Sequence, residues 1–337
     1  MSLVVVLLRT LLLTALSTAL AQTSEKESLF PLSSYSMRSP YLEESLSNPR
    51  WDFGGDAMME VNRYIRLTTD AQSQSGWLWT KTPLFLTSWL VEFQFKVSYE
   101  GGISGDGFAF WVTKGHAEEG PVFGSKDKFE GLGVFFDTYA NSKVKHVFPY
   151  VMAMVGDGKK EYGHDFDGNN EEIGGCHAEF RNRDFITRAR VKYVENDYLQ
   201  VELDIIGNGQ WTTCLKVDKV KLPSSCYIGF TAMTGAVSSA HDIIEISTFR
   251  VTTAADSKNA TDSKEERKPA PEPKAKDGSG SSSYNTGSSG SKKSSPVQES
   301  SEWSAVVIIL VAVVGVVVGY GGWVMYKTSK ANSYKRF

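Results

Sequence analysis

An all-β fold, with two sheets packed as a sandwich, is the class predicted for residues 30–252, and three observations predict it. Several runs of strand length alternate strictly between apolar and polar residues. Others are almost wholly apolar and end abruptly on an acid. No apolar helical period longer than about two turns competes with either. Taken in order, Trp89, Val91, Phe93, Phe95 and Val97 form one face of a strand whose other face carries Glu92, Gln94 and Lys96. Phe108 to Val112 and Gly131 to Phe136 are nearly continuous apolar runs, the mark of strands buried on both faces. Ala189, Val191 and Tyr193 alternate with Arg188, Arg190 and Lys192, and Leu199, Val201, Leu203 and Ile205 with Gln200, Glu202 and Asp204. Further strand-like runs cover Tyr227 to Ala232 and Ile243 to Phe249. A span of this length is enough for one large domain with a substantial core.

The flanking segments place that domain. Residues 1–21 read as a secretory signal peptide: apolar apart from Arg9 and a few hydroxyls, and ending on the small-x-small triplet Ala19-Leu20-Ala21. Residues 253–303 are Lys, Glu, Pro, Ser and Gly with scarcely an aliphatic side chain, the composition of a flexible stalk. No heptad pattern runs through it, so no coiled coil is expected. Residues 304–326 carry no charge and are long enough to span a bilayer as a single helix. Glu299 and Glu302 precede that span, while Lys327, Lys330, Lys335 and Arg336 follow it, so residues 327–337 are expected on the cytosolic side. The reading is a type I membrane protein. Asn259-Ala260-Thr261, at the start of the stalk, is a glycosylation acceptor. A formal net charge of −3 supplies no basic footprint, and no nucleic-acid partner is expected. Cys176, Cys214 and Cys226 all lie between leader and anchor, where oxidising conditions should bridge one pair and leave one thiol, a buried and inert one. Spacing does not choose the pair.

Three separated stretches hold a common set of oxygen donors: Asp106, then Asp137 to Asn141, then His164 to Asp167. Asp106-Gly107 opens one apolar run and Asp137 closes another, so the acids gather at the ends of strands on one rim. Calcium takes six to eight oxygens from carboxylates, amides and carbonyls, and that donor set suits it. An enzyme reading fares worse. Glu202-Leu203-Asp204 puts two acids on one strand face, as a glycosidase requires, but the position for a third acid is Gly207. The bland alternative for that pair is a solvent-facing strand edge. Asp165-x-Asp167-x-Asn169 opens like an EF-hand, yet Cys176 stands where the closing Glu belongs. His116, His146 and His177 fit no ligand spacing, and no catalytic group is evident; the chain is not expected to be an enzyme. A binding module explains the acids better: a rigidly held carboxylate and amide can each take vicinal sugar hydroxyls.

At this point the motifs carry a resemblance. Trp51 to Gly55, Asp106 to Trp111, Gly120 to Ser125, Phe136 to Tyr139 and Phe180 to Asp184 resemble the L-type, legume-like lectins of the early secretory pathway. The short stalk resembles their vesicular integral-membrane branch. The resemblance implies a legume-lectin jelly roll and calcium-dependent binding of high-mannose N-glycans. It also implies work as a cargo receptor between endoplasmic reticulum and Golgi. Carried over, it places the calcium ligands on Asp137, the Tyr139 carbonyl, Asn141 and Asp167. The sugar contacts fall on Asp106, Asn141 and His164, with Ser73 peripheral and Gly235-Ala236-Val237 as the sugar loop. It pairs Cys176 with Cys214, leaves Cys226 as the odd thiol, and makes the bond before Asp106 cis. Ala236 departs from the acid or glycine usual in that loop, which puts the choice among glycan arms in question. The terminal Lys335-Arg336-Phe337 reads as an address for vesicle coat proteins. The alternative function is a cell-surface lectin-type adhesion or signalling receptor.

Overall fold

A computed structural model describes residues 27–252, apart from 45–46 and 142–145. The expected signal peptide, stalk, membrane span and tail, with Asn259, Lys335, Arg336 and Phe337, lie outside the described residues. Among the described residues no helix is long and apolar enough to cross a membrane. The strands are β1 (Ser28–Pro31), β2 (Trp51–Gly55), β3 (Met58–Glu60), β4 (Tyr64–Thr68), β5 (Ser75–Thr80), β6 (Ser88–Ser98), β7 (Gly107–Thr113) and β8 (Glu130–Asp137). They continue as β9 (Tyr150–Asp157), β10 (Gly174–His177), β11 (Thr187–Val194), β12 (Tyr198–Asp204), β13 (Thr212–Asp218), β14 (Tyr227–Met233) and β15 (Ala240–Thr252).

These strands form two antiparallel sheets. One runs β13-β12-β11-β6-β15-β4-β3, with β1 paired to the far end of β15; the other runs β10-β9-β8-β7-β14-β5-β2. Side-chain alternation on a strand sends every second residue to one face, and β6 shows the result. Phe93, Phe95 and Val97 are buried between the sheets, while Glu92, Gln94 and Lys96 lie half-buried on the outer face. Across the sandwich Phe93 meets Phe230 at 4.9 Å between ring centroids, and within the second sheet Phe108 stacks on its cross-strand partner Phe136 at 4.4 Å. Fully burying one such ring stabilises by about 1.5–3 kcal/mol.

Why β7 and β8 are apolar without alternation is now clear. Phe108, Phe110, Leu132, Val134 and Phe136 point into the inter-sheet core. Trp111 and Phe135, on the opposite face, enter a second core with Trp79, Phe123, Phe129, Met152, Met154 and Tyr162. Loops between β7 and β8 and after β9 supply Val122, Phe123, Phe129 and Tyr162 to cover that face. The disulfide joins Cys176 on β10 to Cys214 on β13, tying one edge of each sheet together. Closing its loop of 38 residues contributes about 4 kcal/mol in the chain-entropy account. Cys226 is a buried free thiol whose pKa burial pushes up to about 12.

Two details differ from expectation. Ile205 falls outside β12, because the chain turns there through Gly207, whose φ of +74° is the left-handed conformation that glycine adopts without strain. Asp204 is not solvent-facing: its residue is 1% exposed, since Arg188 and the turn close over the carboxylate.

Candidate metal and carbohydrate site

The register of β7 against β8 builds the site. Gly107 pairs with Asp137, so the start of one strand and the end of the other bring Asp106 and Asp137 to the same rim. The Gly105–Asp106 bond is cis, as the resemblance implies. Four backbone anchors hold this corner. Asp106 N–H donates to the Met233 carbonyl (3.2 Å), and Gly105 N–H donates to Ser239 Oγ (3.2 Å). The Asp106 carbonyl accepts from both Thr138 N–H (3.0 Å) and Thr138 Oγ1 (2.9 Å). Glycine at 105 leaves room for the loop alongside: a Cβ there would lie 2.2 Å from a Val237 methyl and displace it.

The acids are fixed in turn. Asp137 Oδ1 accepts from Tyr139 N–H at 3.0 Å, closing a tight turn over residues 137–139. Asp167, at φ +49° after the short 3₁₀ turn His164–Phe166, holds Asn141 with both oxygens. Its Oδ2 accepts from Asn141 N–H (3.0 Å) and its Oδ1 from Asn141 Nδ2 (2.9 Å). Asp137 and Asn141 open on a cavity of about 290 Å³ that Asp106, His164 and Asp165 also line, with Phe123, Tyr162 and Met233 among its apolar walls. His164 is exposed and sets its ring edgewise to Tyr162 at 5.0 Å. The 234–239 loop stands alongside: a Cβ on Gly235 would lie 3.1 Å from Asp106 Oδ2. Ser73, at φ +58°, donates its N–H to the Gly235 carbonyl (3.2 Å), which puts it on the flank of the site. Ala236 is exposed, and its carbonyl accepts from Gln72 Nε2.

The charge here is unbalanced. Asp137 and Asp167 are each 4% exposed, and among the described residues no ion pair reaches either of them or Asp106. Burial, reinforced by the nearby Asp167 charge, pushes the Asp106 carboxyl up to about 6. Burial drives Asp137 well above the usual carboxylate range, against the pull of the Tyr139 N–H and with help from Asp167 and Asp106. Tyr162 is raised too, by burial first and then by Asp137, Asp167 and Glu171. A buried cluster of like charges is costly unless a cation joins it. No group of three or more Asp, Glu, His and Cys among the described residues is arranged to hold a metal by itself. An ion here must therefore recruit neutral oxygens, such as the Asn141 amide and the Tyr139 carbonyl, and mixed oxygen shells of that kind suit calcium.

Every sugar- or metal-contacting residue expected from the sequence thus lies in or beside one rim. The walls Phe123, Tyr162 and Met233 were not singled out, and neither were Thr138 and Arg181. Phe123 and Arg181 do stand inside the quoted Gly120–Ser125 and Phe180–Asp184 motifs, and the second motif now has a role. Arg181 Nη1 donates to the Thr138 carbonyl (3.3 Å), bracing the 137–141 turn from below. Asn182 pairs its amide with both backbone groups of Tyr99, at 3.0 and 3.1 Å, where β6 gives way to the loop that ends at Asp106. Glu202 and Asp204 belong elsewhere, on the eight-stranded sheet, where they meet Arg190 and Arg188 at 2.6 Å each. A second cavity, of about 200 Å³ near the other end of β7, contains Lys114, Glu118, Lys126, Lys128 and Glu130. Its charges are matched by the pairs Lys114–Glu130, Lys126–Glu118 and Lys128–Glu161.

Comparison with known proteins bears on the fold. Residues 30–258 match the legume-like lectin family. A VIP36-like protein of Mus musculus is 41% identical over 223 residues, covering 65% of this chain and 64% of that protein. The vesicular integral-membrane protein VIP36 of Mus musculus is 43% identical over 211 residues, 62% of this chain and 58% of that one. The chain therefore spans somewhat under two thirds of the length of these relatives. Among solved structures, the VIP36 exoplasmic/lumenal domain in its Ca2+/Man3GlcNAc-bound form superposes with a TM-score of 0.61 at 40% identity. That match covers 65% of this chain and 91% of that one.

Proposed function

The chain belongs to the legume-like lectin family, and from that premise we propose that its rim site is a calcium-dependent receptor for the mannose of high-mannose N-glycans. The observation that carries the reading is the buried, unpaired acid set: Asp137 and Asp167 beside Asp106, with no counter-charge among the described residues. Asp137, Asp167, the Asn141 amide and the Tyr139 carbonyl would hold the ion. Calcium bound there would neutralise the carboxylates and stiffen the turn from which Asn141 projects. Asp106 and Asn141 then offer a carboxylate and an amide to vicinal hydroxyls, and bonds to a rigid charged acceptor are the stronger kind. His164 borders the same cavity, Ser73 and Gly235 to Val237 form its flank, and Ala236 leaves the outer part of that flank without an acid.

The wider role follows the same premise. VIP36, which this chain resembles at 43% identity, is a vesicular integral-membrane protein, and a VIP36 lumenal domain binds Ca2+ and Man3GlcNAc in its crystal structure. We place the present chain in membranes between endoplasmic reticulum and Golgi. There the domain would capture glycoprotein cargo in the lumen, and Lys335, Arg336 and Phe337 would meet coat proteins in the cytosol. Two measurements on the tagged full-length chain test this. Glycoproteins that co-purify in calcium should be released by free mannose or by EDTA. The protein itself should stain a reticular or Golgi pattern; uniform cell-surface staining would favour an adhesion or signalling receptor instead.

A further inference from the structure

Thr138 stands between two of the residues assigned to the metal, yet its side chain serves another purpose. It is 2% exposed, and its hydroxyl and its N–H both donate to one acceptor, the Asp106 carbonyl, at 2.9 and 3.0 Å. Its own carbonyl accepts from Arg181 Nη1 at 3.3 Å, so the residue is held from both sides. The remaining anchors of the Asp106 corner come from other elements: the Met233 carbonyl at the end of β14 and Ser239 Oγ in the 234–239 loop. Beside the strand pairing of Gly107 with Asp137, a side-chain path from the 137–141 turn to Asp106 therefore runs through Thr138. The acceptor is the carbonyl next to the Cα that carries the Asp106 carboxylate, so moving Thr138 re-aims the carboxylate.

We infer that Thr138 is a positioning residue: it transmits calcium occupancy of the 137–141 turn to the aim of Asp106, and so couples calcium binding to mannose binding. This rests on the calcium-dependent mannose reading above. Asn141, assigned to both ion and sugar, gives direct coupling, and Thr138 adds a second route that touches neither ligand. Coupling between two ligands is reciprocal, so the factor by which calcium tightens mannose equals the factor by which mannose tightens calcium. The alternative is that Thr138 merely fills and satisfies the turn. Its loss would then weaken calcium binding itself, with or without sugar.

The test is calorimetric titration of Ca2+ into the full chain in detergent, with and without saturating methyl α-mannoside, for wild type, Thr138→Val and Thr138→Ser. Valine keeps the shape and the N–H donor but removes the hydroxyl; serine keeps the hydroxyl. Thr138→Val should bind calcium alone within about twofold of wild type, while the tightening by mannose shrinks by about five- to tenfold, the weight of one buried hydrogen bond. Thr138→Ser should restore it. Unchanged tightening in Thr138→Val overturns the inference, as does an equal fall in calcium affinity without sugar, or failure of serine to rescue. Wild type alone supplies a readout independent of folding of the variants: calcium should slow hydrogen exchange at the Thr138 amide, and exchange indifferent to calcium overturns the coupling. If wild type binds neither calcium nor mannose, the underlying reading has failed. If it binds both with tightening independent of Thr138, only this inference has.

Discussion

Glu202 and Asp204 on β12 and the trio Asp106, Asp137 and Asp167 on the opposite sheet's rim are both clusters of acids, and they differ in one respect. On β12 each acid has an arginine across the strand pair: Glu202 meets Arg190 and Asp204 meets Arg188, both at 2.6 Å, and both guanidinium groups lie over the Trp211 ring. Asp204 also accepts the N–H groups of Gly207 (2.8 Å) and Gly209 (3.0 Å). Burial alone would raise its pKa, but Arg188 and those two N–H groups more than offset it and hold the carboxyl below the usual range. At the rim Asp106 and Asp137 shift the other way, because burial and the neighbouring acids act with no arginine or lysine against them among the described residues. Acids that the fold has already neutralised serve stability. Acids left unneutralised mark the place for an external cation.

Substitutions that remove charge but keep shape should therefore act in opposite directions at the two places. Asp137→Asn should lower calcium affinity by on the order of a hundredfold or more, since it removes a charge from the proposed ligand set. In EDTA the same change should leave the melting temperature unchanged or raise it, because a buried uncompensated charge is gone. Calcium at a hundred times its Kd should stabilise wild type by about 2.7 kcal/mol, roughly 5–10 °C in a domain of this size. Asp137→Asn should lose that gain. Calorimetry in calcium and in EDTA measures both effects, and a variant destabilised equally in the two would break the contrast.

Asp204→Asn is the mirror experiment. It should destabilise by about 1.5–3 kcal/mol at neutral pH, the weight of a hydrogen-bonded charge, and equally in calcium and EDTA. The folded pKa of Asp204 is depressed, so its contribution is fully present above the unfolded carboxylate value of about 3.9. It is lost as pH falls through the lower folded value. Denaturation curves of wild type and Asp204→Asn should thus converge towards acid; a constant gap would remove the ionic part of the account. Smallest is Ala236→Asp. Placing a carboxylate on the exposed loop beside Asp106 should shift preference among trimmed high-mannose glycans by up to about tenfold, read on a glycan panel. No change in preference would take specificity away from that loop.

Much of this contrast was legible in the residues themselves. Alternation in Trp89 to Val97 located β6, the strand at the centre of the sandwich, because one face of an antiparallel sheet there is wet. The abrupt ends of the 108–112 and 131–136 runs located the rim, because a carboxylate rarely sits inside a strand buried on both faces. The strands β1 to β5, β9, β10 and β13 were not among the runs read from alternation. Trp51 to Gly55 and Gly174 to His177 are short and glycine-bearing, and packing rather than period holds them in place. Glu202 and Asp204 looked like a start on catalysis because spacing shows the acids but not the arginines on the neighbouring strand. Thr138 and Arg181 stand inside quoted motifs, but their roles were not legible, for a related reason. Their roles lie in hydrogen bonds to backbone carbonyls, and a backbone acceptor leaves no trace in sequence.

The most direct test of the central claim is a titration of an α-linked mannobiose into the full-length protein, first in EDTA and then with calcium restored. Unneutralised acids that await a cation require no saturable heat in EDTA and a single reversible binding isotherm once calcium is present. Full mannobiose affinity in excess EDTA would contradict it, because the rim would then be a finished sugar site without an ion.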